Sequence, residues 1–196
     1  YMNFLAHLYL SPNDPEIAVG NFIADSVKGK QFELFTPGIQ KGVLLHRRID
    51  QYTDQHEIFK RSKHRINKTY NHYSGVIIDI FYDHFLSKHW NDYSDIEIRE
   101  FVQSHYMHLI KRFSILPKRS MYILPFMISQ NWLVNYADLN SLDRVFHGMD
   151  RRTGNRSGMN TSVASLKQDY RSFENDFREF FPELSNYVYS LDLYKA

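Results

Sequence analysis

His46, Asp50 and Asp54 stand four residues apart, and on a helix that spacing turns three side chains to one face. A second run, Val76 to Trp90, carries Asp79 and Asp83 on a shared face, with His84 one position further round. Two facing helices that both offer imidazole and carboxylate inward would form a metal site in a helical bundle. The chain has no cysteine, which excludes thiolate ligands, disulfides and a cysteine nucleophile. Such N and O donors suit Mn²⁺, Fe²⁺, Zn²⁺ or Mg²⁺ rather than a structural zinc cage. A divalent ion there polarises a phosphoryl oxygen and lowers the pKa of bound water, so the predicted chemistry is metal-assisted phosphoester hydrolysis. Arg47 and Arg48, beside His46, offer guanidinium groups that match phosphate oxygens bidentately. Histidine and aspartate at this spacing also occur as structural pairs, so spacing alone leaves that reading open.

Three further groups carry two readings each. His7 stands alone in the apolar run Asn3 to Leu10, either as a satisfied core histidine or as a ligand. Asp25 follows Phe22-Ile23-Ala24, either as a helix-end carboxylate facing water or as one bound to a cation. His105 and His108 have ligand spacing, but the solvent face of their helix is the preferred reading.

The elements that must position these groups are all helical. Helices are expected over Asn3–Leu10, Glu16–Val27 and from Pro37-Gly38 through His46, with Gly29–Gly38 a loop. Others are expected over Glu57–Tyr70, from a Ser74 N-cap to Trp90, over Asp95–Phe113, and from Pro117 to Gln130. The Val76 to Leu86 run is apolar almost all round, which predicts a central helix. A short helix capped by Asn140 or Ser141 should end at His147-Gly148. After a loop over Arg151–Asn160, a helix is expected over Thr161–Phe181, with a last one beyond Pro182. No alternating run supports a strand, so the fold class is all-α, one helical bundle over residues 1–196.

Composition narrows the function class further. At 196 residues and 43% hydrophobic content, one core is expected. No apolar run is long enough for a transmembrane helix, and Met2–Leu10 lacks the basic flank of a signal peptide. Met2 is taken as the natural start, with Tyr1 ahead of it. A cysteine-free chain makes the cytoplasm the expected compartment. No Gly-x-Ser-x-Gly, Walker, Rossmann or His-Glu-x-x-His pattern occurs, and no nucleic-acid motif. Net charge is only +2, yet basic residues cluster at Lys60, Arg61, Lys63, Arg65 and Lys68, at Lys111, Arg112, Lys118 and Arg119, and at Arg151, Arg152 and Arg156. Such clusters favour an acidic or phosphate-bearing partner.

Several blocks in register carry a more specific likeness. Met2-Asn3-Phe4-Leu5-Ala6-His7-Leu8, Gly20-Asn21-Phe22-Ile23-Ala24-Asp25, His46-Arg47-Arg48-Ile49-Asp50 with Thr53-Asp54, and Asp83-His84-Phe85-Leu86 with His89-Trp90 are four of them. With Gln130-Asn131-Trp132-Leu133-Val134 and Gly148-Met149, they resemble the acyl carrier protein phosphodiesterase family over nearly the whole chain. The resemblance implies hydrolysis of the phosphodiester joining 4′-phosphopantetheine to a serine of holo-acyl carrier protein, by a metal-activated water. It also implies a divalent metal, typically Mn²⁺, a rearranged HD-type phosphohydrolase fold and a place in fatty acid and lipid metabolism. On that reading Asp25, His46, Asp50, Asp83 and His84 are the metal ligands. Arg47 joins Asp25, His46, Asp50 and Asp83 in catalysis, and His7, Asp54 and Asp79 support or substitute for ligands. Lys60 to Lys68 is the expected docking patch for the acidic carrier protein. The alternative is a metal-dependent phosphohydrolase of nucleotides or other small phosphodiesters.

Overall fold

The computed structural model of the protein describes residues 4–194, so the expectations that touch Met2 and Asn3 lie outside the described residues. These form a single all-helical domain with no strand among the described residues. In chain order the helices are α1 (Phe4–Tyr9), α2 (Pro15–Ile23), α3 (Pro37–Gln55), α4 (Glu57–Tyr70), α5 (Ser74–Lys88), α6 (Ile98–Lys111), α7 (Lys118–Ser129), α8 (Trp132–Asn135), α9 (Leu139–Arg152), α10 (Ser162–Gln168) and α11 (Tyr170–Tyr189). No helix among the described residues is long and apolar enough to cross a membrane.

α5 is the central helix that its apolar sequence predicts, with Ile77, Ile78, Ile80, Phe81, Phe85 and Leu86 inaccessible to solvent. α11 lays a row of phenylalanines over it: Phe173 meets Phe81 edge-on, and Phe177 stacks on Phe85. A buried carboxylate, Asp176, joins α11 to α4 by accepting from Ser62 Oγ at 2.6 Å, Arg61 Nη2 at 2.6 Å and Arg65 Nη1.

α2 and α3 cross closely enough to bring their backbones into contact. A Cβ on Gly20 would lie 2.1 Å from the Ile39 carbonyl oxygen, and one on Gly42 would lie 2.1 Å from that of Ile17. Only glycine fits at such a crossing. Asn21 and His46, one position and one turn beyond these glycines, are thereby brought face to face.

Several boundaries differ from those expected. α2 stops at Ile23, and Ala24–Ser26 tighten into a 3₁₀ turn that carries Asp25. Ser74 does not cap α5 by accepting from its backbone; its hydroxyl donates backward to the Asn71 carbonyl at 2.7 Å. α9 is capped by Asp138, whose Oδ1 accepts from Ser141 N at 2.8 Å, and it runs through Gly148 to Arg152. The expected Thr161–Phe181 helix is two helices, divided at Asp169. Pro182 lies inside α11 because the buried face continues past it in Leu184 and Val188.

Candidate metal centre

The centre is built from single polar residues of the apolar helices α1 and α2 and from the buried face of α3. The carboxamide of Asn21 is oriented by its Nδ2, which donates to the His7 carbonyl at 2.8 Å and to Ser11 Oγ at 3.0 Å. Its Oδ1 therefore faces the two imidazoles, 2.8 Å from His7 Nδ1 and 3.1 Å from His46 Nδ1. A carbonyl oxygen only accepts, so both Nδ1 atoms carry hydrogen. The Nε2 atoms are left to face the other way, toward α3's next turn. His7 Nε2 is buried without a hydrogen-bond partner, 3.3 Å from Asp50 Oδ1 but not aligned as a donor to it. His46 Nε2 lies 3.3 Å from Asp50 Oδ2 and 3.6 Å from Asp25 Oδ1.

His7, His46 and Asp50 each present one ligand atom, all within 4.8 Å of one another. Two tautomer-fixed imidazoles plus a carboxylate form an N₂O donor set, and the orphaned Nε2 of His7 is the kind of atom a cation satisfies. The residues fit a divalent ion.

The electrostatics describe the same place holding a proton. Burial opposes charge on His46, but its hydrogen bonds to Asp25 and Asp50 outweigh it and raise the imidazole to about 9. Burial, with the neighbouring His46 charge, holds His7 below the ordinary histidine value. Asp50 would be raised by burial, yet the two histidines keep it well below the usual carboxylate range. Burial likewise works against Asp25, and His46 is among the groups that hold it below its ordinary value. Cation binding between these groups must displace the Nε2 proton of His46.

The remaining predicted residues are distributed as follows. Asp79 is half-buried and shares a cavity of about 390 Å³ with Asp50, Thr53, Asp54 and Lys63. Burial, then the charges of Asp50, Asp54, Asp83 and Asp25, push its carboxyl well above the ordinary range. Asp83 is not turned to this cavity: its oxygens accept from Leu5 N at 2.9 Å and Ala6 N at 2.8 Å, satisfying the first turn of α1. Burial pushes it up to about 7 against those two donors. The structure does not bring His84 to the cluster either. Its Nδ1 donates to the Tyr136 carbonyl at 2.7 Å and its Nε2 accepts from Tyr170 OH at 2.8 Å, with burial holding it down at about 4.

Arg47 is also occupied away from the cluster. Its Nη2 donates to the carbonyls of Val27 and Gly29, at 3.2 and 2.7 Å, and its guanidinium covers Phe32. The Lys60 to Lys68 cluster does not form one free patch, because Arg61 and Arg65 hold Asp176, Arg61 reaches Glu179 and Lys60 pairs with Glu57. Lys63 lies over the Phe59 ring. The residue missed in sequence is Asn21. Its signal is a lone carboxamide inside the apolar stretch Ile17 to Ile23, where an unpartnered amide would be costly.

A helical bundle that gathers imidazole and carboxylate at a glycine-tight helix crossing offers a group that could hold a metal ion. The sequence model of the family described as acyl carrier protein phosphodiesterase matches residues 2–184, and the chain belongs to that family. It is 30% identical over 194 residues to a Photorhabdus laumondii protein named acyl carrier protein phosphodiesterase, covering 98% of each chain. Proteins of the same name from Shigella boydii and Escherichia coli O157:H7 are 30% and 31% identical over 184 residues, 93% of this chain and 95% of theirs. No solved structure matches the chain.

Proposed function

We propose that this protein hydrolyses the phosphodiester between 4′-phosphopantetheine and the serine of holo-acyl carrier protein, and that His7, His46 and Asp50, with Asp25 beside them, hold the divalent cation it uses. The observation that carries this reading is the single Asn21 oxygen that accepts from two imidazoles and commits both Nε2 atoms to one point. The name shared by the relatives supports the substrate. Mn²⁺ is the first choice of ion, and the His46–Asp50 pair on successive turns of α3 supports a relation to HD-type phosphohydrolases. The whole chain is taken as one catalytic unit, acting in the cytoplasm, which suits a sequence without cysteine.

A bound divalent ion supplies Lewis-acid polarisation of a phosphoryl oxygen and acidifies water at the site. The chain's own contribution is positional and protic. Asn21 fixes the imidazole tautomers, and Asp25 and Asp50 supply negative charge across from them. Asp79 lines the cavity that holds Asp50, and burial, then the neighbouring carboxylates, raise its carboxyl, so it is assigned as the group that would supply a proton to the departing serine oxygen. Asp83 and His84 are assigned structural roles, capping α1 and bolting α5 to Tyr136 and Tyr170.

The acidic substrate is steered by positive surface other than Lys60 to Lys68. From Phe101 to Ala137 the sequence contains no carboxylate but carries Lys111, Arg112, Lys118 and Arg119. Met107, Ile110, Phe113, Tyr122 and Phe126 are exposed along the same stretch, an aromatic and basic composition typical of a binding surface. The test is intact-mass analysis of holo-acyl carrier protein incubated with the protein and Mn²⁺, with and without EDTA. Loss of the phosphopantetheine mass only when metal is available is expected. Retention across several metals and carrier proteins would overturn the reading.

A further inference from the structure

The cavity of about 390 Å³ beside the centre has two chemically different walls. α3 and α5 supply Asp50, Asp54 and Asp79 to it. The other wall is Lys63 and Asn67 of α4, with Asn71 just past that helix's end. These three stand four residues apart, the spacing of one helix face, and all three line the cavity. Lys63 is the only lysine or arginine among the lining residues.

Two features of the α4 wall point to an oxyanion. Lys63 is half-buried in a cavity that holds three carboxylates, yet its ammonium has no hydrogen-bond or ion-pair partner among the described residues. It is propped instead on the buried Phe59 ring, with Nζ 5.7 Å from the ring centre and 3.8 Å from where a Cβ on Gly75 would stand. An ammonium so held keeps its N–H donors for a ligand in the cavity. Asn67 is the second donor: its Oδ1 accepts from Ser74 Oγ at 3.4 Å, which turns Nδ2 away from that contact. An anion that approaches Asp50 past Asp54 and Asp79 meets like charge on that side, and a donor wall opposite supplies the complement. With Arg47 engaged by the Val27 and Gly29 carbonyls, the phosphate lacks the clamp expected from sequence.

We propose that Lys63, with the Asn67 amide beside it, is the subsite for the non-bridging phosphoryl oxygens, across the cavity from the groups that hold the cation. This rests on the phosphodiesterase reading above. It separates Lys63 from its neighbours in sequence, since Lys60, Arg61 and Arg65 are committed to carboxylates of α4 and α11.

The test is calorimetric titration of the Mn²⁺-loaded protein with inorganic phosphate. Mn²⁺ titration of EDTA-treated protein and turnover of holo-acyl carrier protein by wild type run alongside it. Wild type should bind phosphate, and Lys63→Gln should weaken that binding about tenfold. Its Mn²⁺ affinity should hold or rise, because a positive charge has left the cavity. Lys63→Arg keeps the charge and should retain most of the phosphate affinity. Asn67→Asp keeps an acceptor for Ser74 but sets like charge before the anion, so it should weaken phosphate at least as much. Because position 67 is exposed, this second variant decides the matter where Lys63→Gln melts below wild type. Phosphate affinity unchanged in both variants, or no phosphate binding by wild type, would overturn the subsite. Phosphate binding that depends on Lys63, without turnover of holo-acyl carrier protein, would keep the oxyanion subsite and overturn the phosphodiesterase reading.

Discussion

His7 and His46 stack face to face, ring centroids 3.9 Å apart and planes 19° from parallel, with both Nδ1 atoms on one Asn21 oxygen. Two imidazoles in that contact cannot both be protonated without strong repulsion. One therefore stays neutral, and the Nε2 side of the pair carries a single proton where a cation would bind.

Replacing Asn21 by leucine removes the acceptor that fixes both tautomers. Mn²⁺ affinity should fall about 10- to 100-fold, the usual cost of losing an outer partner of ligating histidines. Stability should drop by about 1–3 kcal/mol, because the His7 carbonyl and Ser11 also lose their donor. Calorimetric titration with Mn²⁺ and chemical denaturation measure the two effects separately.

The pH dependence of the metal-free protein follows from the raised histidine and the depressed aspartate. His46 is raised from 6.5 to about 9, so its contribution is whole below pH 6.5 and is lost as pH climbs through about 9. Asp50 is depressed, so its contribution is present above its ordinary 3.8 and is lost on acidification. Asp79 and Asp83 are raised, so their contribution is whole below 3.8 and is lost as pH rises, for Asp83 by the time pH passes about 7. Thermal melts from pH 5 to pH 10 should decline above neutrality. His46→Gln should lose the part of that decline near pH 9, and saturating Mn²⁺ should flatten it.

At the α2–α3 crossing, Gly42→Ala sets a methyl group against the Ile17 carbonyl, and neither backbone can yield cheaply. A destabilisation of about 1–3 kcal/mol or more is expected. Because the crossing also sets Asn21 opposite His46, Mn²⁺ affinity should fall with stability. Alanine at Gly148, inside α9 with nothing within 4 Å of the added carbon, is the control: it should leave Mn²⁺ affinity unchanged and raise stability by up to about 1 kcal/mol.

Charge reversal should separate the two basic surfaces. Lys111→Glu and Lys118→Glu together should raise KM for holo-acyl carrier protein severalfold at low salt with kcat nearly constant, an effect that salt erases. Lys60→Glu, whose lysine already pairs with Glu57, should leave KM close to wild type. The converse pattern in steady-state kinetics would return docking to the Lys60 to Lys68 surface.

The outer helices were legible because they hide a periodic apolar face, and α4 begins and ends where that pattern does. Boundaries shifted where packing outweighs local propensity: α9 passes Gly148, and α11 passes Pro182 while its phenylalanine row stays buried. The four-residue spacing of His46 and Asp50 was legible for the same reason, since α3 has one buried face. α5 offers no such guide. It is apolar all round, so its periodicity could not say that Asp83 meets the start of α1 or that His84 meets Tyr136. His7 and Asn21 are single polar residues in apolar runs; the packing of α1 on α2 pairs them with each other, and the α2–α3 crossing adds His46.

The most direct measurement is Mn²⁺ binding, by paramagnetic resonance titration, to wild type, His7→Ala and His84→Ala. The account predicts that His7→Ala loses at least about tenfold in affinity while His84→Ala, even if less stable, binds as wild type does. Unchanged binding by His7→Ala, with loss in His84→Ala, would contradict it and move the cation to α5.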